Sequence, residues 1–426
     1  MKLIMFNFLK KIIEFFSIYI NPFEKKVDLF LKKLNPNTDR SYIHDKVLEL
    51  MRENVVIFHL WLERRYKGYK YLKKGRRKKL YTNVKKLQSA FEEFCNKQKV
   101  DIAHITEQVN NVTSSFRGNN DELKYISCIM SFFSGHKGCF KYQESSNFGK
   151  LLKDPKHSQV IGDCNQIVTL YTYFFGLKYD ISRLNIKVYP GHVCLHYQGV
   201  DVEATNGSFQ HYQKKAQKIL PITELIAVNL LDISDSNEKM YSIAPKALME
   251  SAKLTFLLSS DREIVSHNLK AAYQTVVNSA IKEGNYDTAF DYAKQSGNDD
   301  LKKSVAHNSA VYFLKQNQFS KAEKYAKYTK DEKLKKSIIE SEGIYYYGKR
   351  DYKHAISIFQ KTNDTKRIKN CYSAMFIDLN KEIASVKTID QLKMKKHILQ
   401  KMDDFAHKSH DPKLIKHISD LVGQIR

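Results

Sequence analysis

The chain has 426 residues, 42% of them hydrophobic and 27% charged. That is room for two or three domains with real cores, and it excludes wholesale disorder. Lys and Arg number 71 against 46 Asp and Glu, a formal net charge of +25, which favours acidic partners as a class: nucleic acid, anionic lipid or an acidic protein. A lysine-rich solvated surface gives the same balance.

Met1 to Ile20 is strongly apolar, but Lys10, Lys11 and Glu14 interrupt it and no small-residue cleavage site follows. Its polar residues recur at helical spacing, the pattern of an amphipathic helix that lies on a membrane surface or docks on the protein's own core. No apolar run is long enough to span a bilayer. From residue 22 to about 120 the sequence reads as helices. Pro36-Asn-Thr-Asp39 is a helix start, followed by Val47, Leu48, Leu50, Met51, Val55, Ile57 and Phe58 at mixed spacings of 3 and 4. Residues 64–86 hold twelve Lys/Arg and no acid, with Tyr66, Tyr69, Tyr71 and Tyr81 interleaved. Such a segment can neutralise phosphates and stack bases, or bind anionic lipid headgroups. Residues 123–134 form a further helix ending at Gly135.

Residues 160–235 change character. Asp163 is a good helix cap, Gln166 stands three residues on as in a capping box, and Gly176 is a good stop, so a helix is expected over 164–176. Strands follow at Ile186 to Tyr189, Val193 to Tyr197 and Val200 to Thr205, the last two joined by a Gln198-Gly199 hairpin turn. From about 240 onward the chain is helical. Tyr286, Phe319 and Tyr352 recur every 33 residues, and so do Ala289, Ala322 and Ala355. Each aromatic opens a helix, and each alanine lets a neighbouring helix approach, so this is a stacked two-helix repeat. Residues 240–266 read as a preceding helical pair, and those after 372 as capping helices.

The six cysteines, Cys95, Cys128, Cys139, Cys164, Cys194 and Cys371, form no Cys-x-x-Cys pair. This argues against a disulfide framework or a zinc ribbon and fits a reducing, cytoplasmic setting. Cys164 falls in the first turn of the capped helix. There the unpaired N–H groups and the helix dipole favour a thiolate and can stabilise an oxyanion. A thiolate nucleophile needs a base, and the base needs an orienting acid. With Gln198-Gly199 as a two-residue loop, Cys194 lies opposite Glu203 and His196 opposite Asp201. His192, Cys194, His196, Asp201, Glu203 and Thr205 then share one face, with His192 and Glu203 diagonal neighbours. His192 with Glu203 and His196 with Asp201 both fit as base and acid. His192, Cys194 and His196 also permit a metal site by composition, but His-x-Cys-x-His on one strand rarely closes a tetrahedron, and no metal or cofactor is expected.

Gly162-Asp-Cys164, then Gly191-His192-Val, then Val202-Glu203-Ala-Thr205 resemble the three core motifs of the transglutaminase-like superfamily, with Phe140-Lys-Tyr142 as its lead-in. Glu203 stands for the usual Asp, Ala204 for Pro, and Cys194 for an aromatic. The resemblance covers about residues 138 to 232. It implies a papain-like α+β core, a helix plus a small antiparallel sheet, with Cys164 as nucleophile, His192 as base and Glu203 or Asp201 as third member. Gln159 corresponds loosely to an oxyanion donor. The repeats over 267–370 resemble tetratricopeptide repeats, without the first-helix tryptophan and with a period of 33 rather than 34. The expected organisation is a helical basic region (1–120), a transglutaminase-like domain (121–238) and a repeat solenoid (239–426). The implied activity is hydrolysis of a peptide or amide bond, with the repeats binding a protein partner. The other reading is a non-catalytic scaffold that binds nucleic acid or an anionic membrane through residues 64–86.

Overall fold

The computed structural model describes residues 17–134, 138–145, 147–189, 191–212, 218–232 and 243–425. Most of the amphipathic segment expected over Met1 to Ile20 therefore lies outside the described residues. The protein is mostly helical with a small antiparallel sheet, an α+β arrangement. Among the described residues no helix is long and apolar enough to cross a membrane. The chain divides between Val276 and Val277 into two compact units.

The first unit opens with α1 (Pro22–Lys33), α2 (Arg40–Arg65), α3 (Lys74–Lys97), α4 (Ile102–Val112) and α5 (Asn120–Ser134). Asp39 caps α2 by accepting from the Tyr42 N–H, as the Pro36-Asn-Thr-Asp39 signal predicts. α2 is interrupted at Asn54, whose φ of −170° and ψ of 95° are non-helical. The Asn54 side chain accepts from the Ile57 N–H at 2.9 Å and so caps the second half itself. After α5 come β1 (Phe140–Tyr142) and β2 (Val160–Gly162), paired in parallel, and α6 (Cys164–Gly176). β3 (Leu184–Tyr189), β4 (His192–Tyr197), β5 (Val200–Glu203), β6 (Ser208–Gln210) and β7 (Lys218–Pro221) make one antiparallel sheet in the order β6-β5-β4-β3-β7. α7 (Glu224–Leu231) and α8 (Pro245–Leu258) follow. Val193, Leu195, Tyr197, Val200 and Val202 share one core with Ile167, Leu170, Phe174 and Phe175 of α6 and with the apolar faces of α1 to α5. Burial at roughly 25 cal/mol per Å² of apolar surface is the main force pinning α6 to the sheet.

The β4–β5 turn fixes the register. Gln198 and Gly199 both have positive φ, 47° and 98°, as a two-residue hairpin loop with native twist requires. A Cβ at position 199 would meet Ser115 O at 2.2 Å, so glycine is needed there for space as well as for conformation. The resulting pairs are Leu195 with Val202, His196 with Asp201 and Tyr197 with Val200, as the sequence predicts.

The basic segment is mostly on the surface, with part of it turned into the core. Nine of its cations are exposed, including Arg64, Lys70, Arg76, Lys79 and Lys85, but Lys67 and Arg77 are buried. The tyrosines do not present free ring faces in alternation with them. Tyr69 is buried, the Tyr71 hydroxyl is bonded to Asn147, and the Tyr81 hydroxyl donates to Glu24 at 2.5 Å. Arg77 donates to both oxygens of buried Glu24, at 2.9 and 3.1 Å, and to the carbonyls of Leu72 and Ile18. Its guanidinium lies 5.3 Å from the Trp61 ring centroid.

The second unit continues α9 (Arg262–Lys282) with α10 (Tyr286–Gln295), α11 (Asp299–Lys315), α12 (Phe319–Ala326), α13 (Glu332–Gly348), α14 (Tyr352–Lys361), α15 (Thr365–Ile383), α16 (Ile389–Met394), α17 (Lys396–Ser409) and α18 (Pro412–Gly423). Tyr286, Phe319 and Tyr352 are each the first residue of a helix, and Ala289, Ala322 and Ala355 are fully buried. The turns repeat too. Gly284, Asn317 and Arg350, again 33 apart, take left-handed φ of 72°, 55° and 61°. The next N–H in each closes on Ala280, Phe313 or Tyr346 O at 2.8, 2.9 and 3.0 Å, the six-to-one bond that ends a helix. Ala322→Leu is expected to cost about 1–3 kcal/mol by overpacking, read as a lower urea midpoint at unchanged slope.

Candidate functional site

Cys164 is the first residue of α6. Asp163 precedes it in extended backbone and accepts from the N–H groups of Asn165 at 3.0 Å and Gln166 at 3.3 Å, which stabilises a helix start at this place. Gln166 does not close the capping box. Its amide donates to Ser145 O and reaches Asp232 Oδ2 at 3.5 Å. Burial, and then the neighbouring Asp232 carboxyl, push Asp163 well above the usual carboxylate range. The buried run Ile167, Val168, Leu170, Tyr171 and Phe174 seats the rest of the helix. Cys164 is left 7% exposed. Tyr142 is 54% exposed on β1, and its phenol is raised by burial and then by Cys164 and Asp163. Gln159, corresponding to an oxyanion donor, is exposed ahead of β2.

His192 opens β4, beyond the sharp turn at Gly191 (φ 75°). Its imidazole is hydrogen-bonded to Glu203, and Cys164 is near enough to be the largest influence on its proton affinity. The Nε2 to Glu203 Oε2 distance is 2.6 Å, which leaves Nδ1 unengaged by the carboxylate. These contacts, Cys164 first and Glu203 second, raise His192 to about 10 against the opposing effect of burial. Burial alone would raise Glu203, but hydrogen bonds from His192 and Thr205 outweigh it and hold the carboxyl below its ordinary value. Thr205 donates to Glu203 Oε1 from its hydroxyl at 2.5 Å and its N–H at 3.2 Å. The Tyr212 hydroxyl donates to Oε2 at 3.1 Å.

The second base–acid pair also forms, but it does not join the first. Asp201 is fully buried and takes His196 Nδ1 at 2.6 Å, Lys187 Nζ at 2.8 Å and the Tyr212 N–H at 2.8 Å. Burial pushes the Asp201 carboxyl up, and these three donors more than reverse it, leaving it lowered. The Gly199 N–H donates to His196 Nε2 at 3.3 Å, so His196 is the Nδ1–H tautomer. The structure thus brings together Cys164, His192 and Glu203, and sets Asp201 with His196 and Lys187. Cys194 lies between the pairs, buried, with burial raising its thiol to about 12. Among the described residues no group of three His, Cys, Asp or Glu side chains is placed to hold a metal ion.

Two participants escape a reading of the sequence. Lys187 pairs with Cys194 across β3 and β4, so strand alternation places it on the polar face, although nothing marks a lysine there as buried. Tyr212 lies beyond β6 with no periodic signal. No family model matches the chain, and neither a curated protein nor a solved structure matches it.

Proposed function

We propose that the protein is a transglutaminase-like cysteine hydrolase of peptide or amide bonds, with a papain-like core and tetratricopeptide-like repeats that hold a protein partner. The observation that carries this reading is the His192–Glu203 hydrogen bond beside Cys164, with the sulfur at a capped helix start. Raised to about 10, His192 keeps its proton at neutral pH, and the attacking form of a cysteine is its thiolate. The sulfur attacks the carbonyl carbon, and the oxyanion takes the Cys164 backbone N–H, the helix-start donor that Asp163 does not consume. His192 gives its proton to the leaving amine, and an acyl-thioester remains. Water gives one proton to His192 as it attacks the thioester carbonyl; the C–S bond then breaks, the acid leaves, and thiolate and imidazolium are restored. An amine in place of water gives transfer. Glu203 keeps Nε2–H donated and the ring turned toward the sulfur.

The test is competitive labelling of the full chain with substoichiometric iodoacetamide at neutral pH, read by peptide mass. Cys95 and Cys139 are more exposed than Cys164, so exposure alone favours them. Preferential labelling of Cys164 is the expected result. A rate no higher than that of Cys95 would sink the nucleophile assignment.

A further inference from the structure

Tyr212 touches both acidic clusters at once. Its hydroxyl donates to Glu203 Oε2, the oxygen that also takes His192 Nε2. Its main-chain N–H donates to Asp201 Oδ2 at 2.8 Å, and its carbonyl accepts from Lys187 Nζ at 3.3 Å. The same Lys187 ammonium bonds Asp201 Oδ2, and His196 holds the other carboxylate oxygen at 2.6 Å. Lys187 and Asp201 are 3% and 0% exposed. A buried lysine–aspartate pair is costly to assemble unless its partners are complete. Here the partner that completes it is a single peptide unit on either side of one tyrosine. The phenol is pushed up to about 12 by burial and then by Glu203, so it stays protonated and remains a donor.

We propose that Tyr212 is a positioning residue for the Cys164–His192–Glu203 site, and that Lys187, Asp201 and His196 form a clamp on its main chain that aims its hydroxyl at Glu203. The proposal rests on the cysteine hydrolase reading and gives the second acid a task other than catalysis. With Thr205 on one carboxylate oxygen and Tyr212 on the other, Glu203 has one orientation, and the imidazole it bonds has one as well. The ring of Tyr189, 5.1 Å from His192 and 5.5 Å from Tyr212 by centroids, fills the space behind them.

The experiment measures iodoacetamide alkylation of Cys164 in the full chain from about pH 5 to about pH 10. It compares wild type, Tyr212→Phe, Asp201→Asn, their double variant and His192→Ala. Loss of one hydrogen bond to a charged group predicts a roughly tenfold slower rate near neutrality for Tyr212→Phe, and a pH profile moved toward that of an unassisted thiol. Asp201→Asn acts through the same hydroxyl, so it gives the same profile and the double variant is no slower than either single one. Should Asp201→Asn fail to fold, Lys187→Met, which removes the carbonyl contact, takes its place. A wild-type profile for Tyr212→Phe, or losses that multiply in the double variant, overturns the clamp while His192→Ala remains slow. A His192→Ala rate equal to wild type overturns the clamp together with the nucleophile reading beneath it.

Discussion

Cys164 alkylation is expected to slow by at least about 100-fold when His192 is replaced by alanine, the low end of what a positioned acid–base group contributes. The imidazole is the basic group beside the sulfur, and its proton is held to about 10. Without it the sulfur loses the cation beside it, while the Asp163 carboxyl remains its neighbour in the chain. Glu203→Gln is expected to cost less, about tenfold, because the amide still accepts from Nε2 but offers no charge. Rates come from quenched mass spectrometry, with Cys194 and Cys371 as buried internal standards. Loss of selectivity in His192→Ala at unchanged circular dichroism assigns the effect to chemistry rather than unfolding. The same shift couples folding to pH. A histidine raised from 6.5 to about 10 contributes stability that is complete below about pH 6.5 and is lost as pH rises toward 10. Urea midpoints measured from neutral to alkaline pH therefore fall more steeply in wild type than in His192→Ala.

The largest stability effect is expected at Arg77→Met. Arg77 and Glu24 are 1% and 0% exposed. Glu24 accepts from Arg77, from the Tyr81 hydroxyl at 2.5 Å and from the Ile20 N–H at 2.7 Å. Removing the guanidinium leaves a buried carboxylate without its cation and frees the carbonyls of Leu72 and Ile18. Breaking such a pair from one side costs about 3–5 kcal/mol. Urea unfolding checks the value. The double variant Glu24→Gln/Arg77→Met is expected to regain part of the loss, since no charge then remains buried. A double variant as unstable as Arg77→Met would mean that packing against Trp61, and not the ion pair, dominates.

These two sites show what could be read in advance. The pairing of β4 with β5 follows from one local fact, a two-residue loop at Gln198-Gly199, and every alternate side chain is then placed. That is why His192 could be matched with Glu203 from sequence and His196 with Asp201, while Cys164 was reached from its capped helix start and from the order cysteine, histidine, acid. The choice between Glu203 and Asp201 could not be made there, because both satisfy the alternation. What sets the two apart is that Asp201 is taken up by Lys187 and by the main chain of Tyr212, contacts between segments with no shared period. Arg77 was illegible for a similar reason. Of the twelve cations in residues 64–86, Arg77 turns inward because Glu24, 53 residues earlier, faces it. The break in α2 at Asn54 escaped too, since Asn54 is an ordinary helix residue until its side chain takes over the job of a cap. The 33-residue repeat was legible in full register, because local spacing determines it.

The turns of the second unit carry a consequence for how this chain can change in length. Gly284, Asn317 and Arg350 hold the same left-handed conformation and the same six-to-one closure. Excision of one complete period therefore rejoins equivalent backbone to equivalent backbone. Duplication of a period does the same, and each seam inherits an aromatic and an alanine that already match its new neighbour. Recombination between copies can thus lengthen or shorten the array in whole modules while leaving the chain from residue 17 to Val276 untouched.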